Sequence, residues 1–153
     1  MLWSRLAVAL ILIPMAALSP NLGWAQDSRP AVRIDVVAND YAFLPLPARV
    51  AAGPTIFTFV NQGRVNHEMS IGRLRPGATI DDVLKVSREG GRLREVVTRS
   101  VGILVAGPGK SPDGRLLVDL IPGETYLVLC NFKDTPVAPT HMTLGMYATF
   151  RAE

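Results

Sequence analysis

The chain has 153 residues, 48% of them hydrophobic, with sixteen Lys+Arg against thirteen Asp+Glu and a formal charge of +3. That length suits one ordinary domain, and the scattered, nearly balanced charge excludes a nucleic-acid footprint. There is one cysteine, so no internal disulfide is possible.

The first segment reads as a targeting signal. Arg5 precedes an apolar run from Leu6 to Leu18 that is short for a bilayer span and is interrupted by Pro14. Gly23-Trp24-Ala25 puts small residues at the two positions a signal peptidase reads. The pattern predicts cleavage before Gln26, a periplasmic destination and no membrane span after cleavage. Residues 26–153 would then form the mature domain.

Short strands between Gly/Pro turns follow. Val32, Ile34 and Val36 alternate with Arg33 and Asp35, as in a half-buried strand. Asp40-Tyr41-Ala42-Phe43 runs into Leu44-Pro45-Leu46-Pro47, which no central strand tolerates. Arg49 to Ala52 leads to an expected turn at Gly53-Pro54. Thr55 to Val60 is β-branched and aromatic throughout and predicts a core strand, closed by Asn61-Gln62-Gly63. Glu68 to Leu74 predicts another.

The period then changes. Thr79, with Asp82 three residues on, predicts a helix start, and Gly90-Gly91 its stop. Leu93, Val96 and Val97 suggest a second helical turn. This helical insert, about residues 77–99, is expected to pack on one edge of a β domain. Beyond the Ser111-Pro112-Asp113-Gly114 turn, strands are expected at Arg115–Ile121, Tyr126–Cys130 and Met142–Arg151. Seven or eight strands with regular turns predict an all-β fold, an antiparallel Greek-key β-sandwich.

The only cysteine, Cys130, ends an apolar strand; His141 and Met146 follow, and the other histidine, His67, lies far upstream. Taken singly, each has an ordinary explanation: a buried inert thiol, two hydrogen-bonded or surface histidines, a methionine filling the core. Together they are one thiolate, two imidazoles and one thioether, the donor set of a type 1 copper site. Met69, Met142 and Glu68 are competing donors.

On these residues the chain resembles the cupredoxins, the small blue copper proteins. The likeness runs through Tyr41-Ala42-Phe43, Ala52 to Gly63, Asn66-His67, Pro122 to Cys130 and His141 to Met146. The resemblance implies a metal set of His67, Cys130, His141 and axial Met146, with one type 1 copper per chain. The His-to-Met spacing resembles that of plastocyanins. The Cys130-to-His141 loop is longer than in plastocyanin or azurin and is closer in length to that of the type 1 centre of copper nitrite reductases. The helical insert also lies outside the minimal fold.

The implied function is a single-electron shuttle, not an enzyme, because both histidines are committed to one site. Electrons are expected to pass through His141 to a redox partner protein, across an apolar patch of Pro136, Val137, Ala138, Pro139, Met142 and Leu144. The chain is expected to be a monomer. The other readings are a copper carrier or buffer, and a metal-free interaction module.

Overall fold

Alternating apolar and polar positions put one face of each strand inward, and the computed structural model describes residues 30–153 in that form. The expected signal segment and the expected cleavage before Gln26 lie outside the described residues. In chain order come β1 (Val32–Asn39), β2 (Ala42–Phe43), β3 (Arg49–Val50), β4 (Gly53–Asn61), β5 (His67–Leu74), α1 (Ile80–Arg88), β6 (Val97–Ala106), β7 (Leu116–Leu120), β8 (Thr125–Leu129) and β9 (Tyr147–Ala152). They form two sheets packed face to face, ordered β2-β1-β4-β7 and β3-β9-β8-β5-β6.

Most neighbours are antiparallel, but β1 with β4 and β3 with β9 are parallel, so both sheets are mixed. The reason lies in the segment after β2. Pro45 and Pro47 have no amide hydrogen to give a ladder, and the chain leaves the first sheet there. It pairs briefly as β3 in the second sheet, then returns as β4 beside β1. Gly53-Pro54, expected as a turn, instead opens β4. Gly53 adopts a φ of 106°, and Pro54 stands one residue before the β1 ladder begins at Thr55.

The core is built from Ile34, Val36, Phe57, Phe59, Met69, Ile71, Val118, Leu120, Tyr126, Val128 and Phe150. Tyr126 stacks on Phe150 with ring centroids 5.3 Å apart, and its hydroxyl accepts the Ile121 amide at 3.0 Å. From Tyr126 to Leu129, β8 is buried and apolar because both its faces are covered. Tyr126 and Val128 point into the sandwich. Leu127 and Leu129 join a second cluster with Leu74, Val83 and Met142.

That second cluster corrects the expected position of the insert: α1 packs over the outer face of the five-stranded sheet, not against an edge. Its start is as expected. Thr79 accepts the Asp82 amide, and the Asp82 carboxylate accepts the Thr79 amide. Leu93–Glu95 makes a single 3-10 turn, and Val97 already belongs to β6.

β6 escaped the sequence reading. It is an edge strand whose outward residues Ile103 and Val105 are half exposed, so its apolar residues do not alternate with polar ones. The last strand is also shorter than expected. Residues His141–Leu144 form a 3-10 turn, and β9 starts at Tyr147.

Candidate metal centre

Cys130 lies one residue past β8, where the strand's inward alternation continues, and it is fully buried. His67 opens β5 and is also fully buried. The route to His67 is set by Asn61, itself buried. Its Nδ2 donates to the Val65 and Ala106 carbonyls at 2.8 and 3.0 Å, and its Oδ1 accepts the Gly63 amide at 2.8 Å. Arg64 then donates its backbone amide and Nε to the Asp40 carboxylate.

Gly63 packs against Asp40 in this loop. A Cβ there would lie 2.6 Å from Asp40 Oδ1, 3.0 Å from the Asp40 nitrogen and 3.1 Å from the Asn39 carbonyl carbon. Two of these are backbone atoms of the β1–β2 link and cannot swing aside. Gly63→Ala is therefore expected to lower stability by about 1–3 kcal/mol, read as a lower thermal midpoint of the metal-free protein. An unchanged midpoint would mean that the two loops separate without cost.

The segment after Cys130 folds back on it. Phe132 O accepts the His141 amide at 2.8 Å, and Cys130 O accepts the Met142 amide at 2.8 Å. The Met146 amide donates to His141 O at 2.9 Å, and the Cys130 amide to Met146 O at 3.1 Å. Met146 is thus tied by its backbone to both Cys130 and His141 and is fully buried in the main core. Gly145 makes the bend, with a φ of 112° that favours glycine.

Three donors meet at one end of the sandwich. His67 Nδ1 and His141 Nδ1 are 3.1 Å apart, and Cys130 Sγ lies 3.8 and 3.4 Å from them. All three residues are buried and their ligand atoms form one cluster. Bond lengths of about 2.0 Å to nitrogen and 2.3 Å to sulfur place such donors about 3.3–3.7 Å apart around one ion. The triangle is therefore of a size to hold a metal. One thiolate and two imidazoles, with a thioether nearby, suit copper.

Two of the three competing donors lie away from the triangle. Met142 sits in the second cluster, across the sheet from the core that holds Cys130 and Met146. Glu68 alternates to the outer face, where its carboxylate accepts the Asn131 amide at 3.0 Å. The Glu68 amide instead donates to Cys130 Sγ at 3.4 Å. Met69 remains on the inward face with His67, packed in the core.

Burial sets the electrostatics. It pushes the Cys130 thiol up, against the pull of the Glu68 and Phe132 amides. Burial, and then the neighbouring His141, pushes the His67 imidazole below its ordinary value. In the metal-free protein the unfolded state thus binds a proton at His67 more readily than the fold does. The stability this favours is complete above the unfolded value of about 6.5 and is lost as pH falls from there through the folded value. The thermal midpoint is expected to drop as pH falls below about 6.5, and His67→Gln to flatten that part of the profile. A flat wild-type profile in that window would contradict the burial argument.

Two residues that the sequence reading gave no role at the site, Tyr41 and Asp134, complete it. The Tyr41 hydroxyl donates to Asp134 Oδ2 at 2.5 Å, and Asp134 Oδ1 lies 3.1 Å from His141 Nε2. His141 is only 1% exposed, so its edge does not open directly to water. The expected apolar patch is partly present. Val137 is 94% exposed, and Pro136, Pro139 and Leu144 are exposed too, but Met142 is buried and takes no part.

Comparison by sequence finds no matching family model and no matching curated protein. Among solved structures, the chain is similar to the dithionite-reduced auracyanin of Roseiflexus castenholzii, with 19% identity and a TM-score of 0.56 over 80% of this chain and 98% of that one. It is also similar to auracyanin A, a "blue" copper protein of the green thermophilic photosynthetic bacterium Chloroflexus aurantiacus, with 16% identity and a TM-score of 0.53 over 81% of this chain and 100% of that one. Azurin Az-iso2 of the obligate methylotroph Methylomonas sp. strain J matches at 17% identity and a TM-score of 0.50, over 81% of this chain and 99% of that one. These likenesses establish the fold: the chain is a cupredoxin-type β-sandwich.

Proposed function

We propose that this cupredoxin-fold chain is an exported type 1 copper protein that carries single electrons between redox partners. The observation that carries the reading is the buried triangle of Cys130 Sγ, His67 Nδ1 and His141 Nδ1, drawn from two distant segments of the sandwich. Met146 supplies the weak axial thioether. Bound copper would supply the one-electron couple.

The chain's part is to hold donors still. His67 is fixed by a strand, Cys130 by the end of another, and His141 and Met146 by a loop bonded to both. Strands and stiff loops keep the donor positions alike in both oxidation states, which suits rapid electron exchange. The insert contributes as well, since Met142, next to His141, is anchored in the cluster under α1.

The partner would dock on the exposed apolar residues Pro136, Val137, Pro139 and Leu144, near the loop that carries His141. The scattered charge predicts weak steering and little salt dependence of the encounter. The leader-like segment and the auracyanin and azurin likenesses support export. Among the described residues no helix is long and apolar enough to cross a membrane.

The test is to express residues 26–153, add Cu(II), and record the visible spectrum through repeated reduction and reoxidation. An intense thiolate-to-copper band that returns after each cycle, with copper retained, supports the shuttle. Copper lost on one half of the cycle favours the carrier. No thiolate band would overturn the type 1 assignment.

A further inference from the structure

We propose that Asp134, held by Tyr41, is a positioning residue for the metal centre: its carboxylate keeps His141 turned with Nδ1 toward the thiol and makes that imidazole the stronger of the two nitrogen donors. The inference rests on the copper reading for its redox consequence but not for the positioning itself.

The two histidines are held differently. His67 Nε2 is buried with no partner among the described residues. His141 Nε2 lies 3.1 Å from Asp134 Oδ1. An ionised carboxylate only accepts, so Nε2 carries the proton and donates it. The Nδ1 lone pair is then free for a metal. A carboxylate behind a ligating imidazole fixes its tautomer and ring orientation and raises its basicity.

Asp134 is itself held at its other oxygen by the Tyr41 hydroxyl, at 2.5 Å. The Tyr41 ring stands edge-on to His141, with centroids 5.0 Å apart at 81°, and also edge-on to His67 at 6.5 Å. Its backbone is unusual. Tyr41 lies in the two-residue link between β1 and β2 with a φ of 60°, the only described non-glycine residue with positive φ. Glycine or asparagine is the ordinary choice in such a link. A bulky residue kept in a strained conformation beside a site points to a use for its side chain. Here the use is to seat Asp134 and cover His141. The Cys130-to-His141 loop is long enough to fold Asp134 back over the imidazole.

A stronger imidazole donor favours the more highly charged ion. Asp134 therefore stabilises Cu(II) more than Cu(I) and lowers the reduction potential. Loss of such a partner typically costs about 10–100-fold in metal affinity. A tenfold fall in the Cu(II)-to-Cu(I) affinity ratio raises the potential by about 59 mV.

The test compares the wild type with Asp134→Ala, Asp134→Asn and Tyr41→Phe in the full mature chain. Zn(II) affinity is measured first. Asp134→Ala is expected to bind about 10–100-fold more weakly, and Asp134→Asn, which can still accept the bond without the charge, by less. In the diamagnetic Cu(I) or Zn(II) form, the His141 Nε2–H proton is expected to exchange slowly in the wild type and rapidly in Asp134→Ala. The potential of the copper form is expected to rise in both Asp134 variants and, by a smaller step, in Tyr41→Phe. Unchanged Zn(II) affinity and proton exchange in a folded Asp134→Ala would overturn the proposal. A wild type that binds Zn(II) with these variant effects, yet shows no thiolate–copper band, would keep the positioning role and remove the copper reading.

Discussion

Cys130→Ser is expected to abolish the visible thiolate–copper band completely while leaving the sandwich folded. The band requires a sulfur-to-metal bond, and Cys130 is the only cysteine in the chain. The variant retains two imidazoles 3.1 Å apart, so weak Cu(II) binding of a colourless kind is expected to persist. The fold should tolerate the change. Serine is smaller than cysteine, and the Glu68 amide that now faces Sγ has a hydroxyl oxygen within reach of a small adjustment. Burying that hydroxyl costs about 1–3 kcal/mol. Visible absorption after copper addition, with far-UV circular dichroism and thermal melting of the metal-free form, reads both halves. Survival of the band would sink the donor assignment.

The second large effect is on the potential. Met146→Leu is expected to keep copper bound and blue but to raise the reduction potential, by about 59 mV for each tenfold loss of Cu(II) preference. The side chain is fully buried in the core that holds Cys130, and the exchange of a thioether for an isobutyl group roughly conserves volume. Packing is thus nearly preserved while a donor to the oxidised ion is lost. Cyclic voltammetry measures the shift directly. An unchanged potential would point to another axial donor. Met69 is then the one to replace, since it shares the inward face with His67, whereas Met142 lies in the cluster under α1.

The same geometry separates what these variants do from general damage. Gly63→Ala acts on the loop that leads to His67 and should lower stability without altering the donor chemistry. The Asp134 variants act on the outer side of His141 and should change potential and affinity with the donor set intact. A band that survives in both, and is lost only in Cys130→Ser, would assign the chemistry to the buried triangle.

Much of this was legible from residue order. Alternation in Val32–Val36 and the β-branched run Thr55–Val60 marked strands whose inward faces are now the core. The Thr79–Asp82 pair marked the start of α1, and both partners of that capping arrangement are present. The joint presence of His67, Cys130, His141 and Met146 marked a candidate metal centre, because so few chemistry-bearing residues left few ways to combine them, and the structure gathers the first three into one buried cluster.

Other features depended on packing. The parallel pairing of β1 with β4 joins segments whose relation no local turn signal reports. β6 carries apolar residues on both faces at a sheet edge, so its periodicity is hidden. The final strand looked longer than it is because Met142 and Met146 are both apolar, though one is buried in the cluster beneath α1 and the other in the core beside Cys130.

What the sequence by itself determined is the donor inventory and the class of fold, since both follow from residue type and period. What only the tertiary structure decided is how each donor is held. Asp134 and Tyr41 are 93 residues apart and carry no local motif, yet they meet over His141 because β2's hairpin and the loop after β8 end at the same pole of the sandwich. The physical reason is that ligand identity resides in single side chains, whereas the environment that orients them and sets their strength is made by contacts between segments distant in the chain.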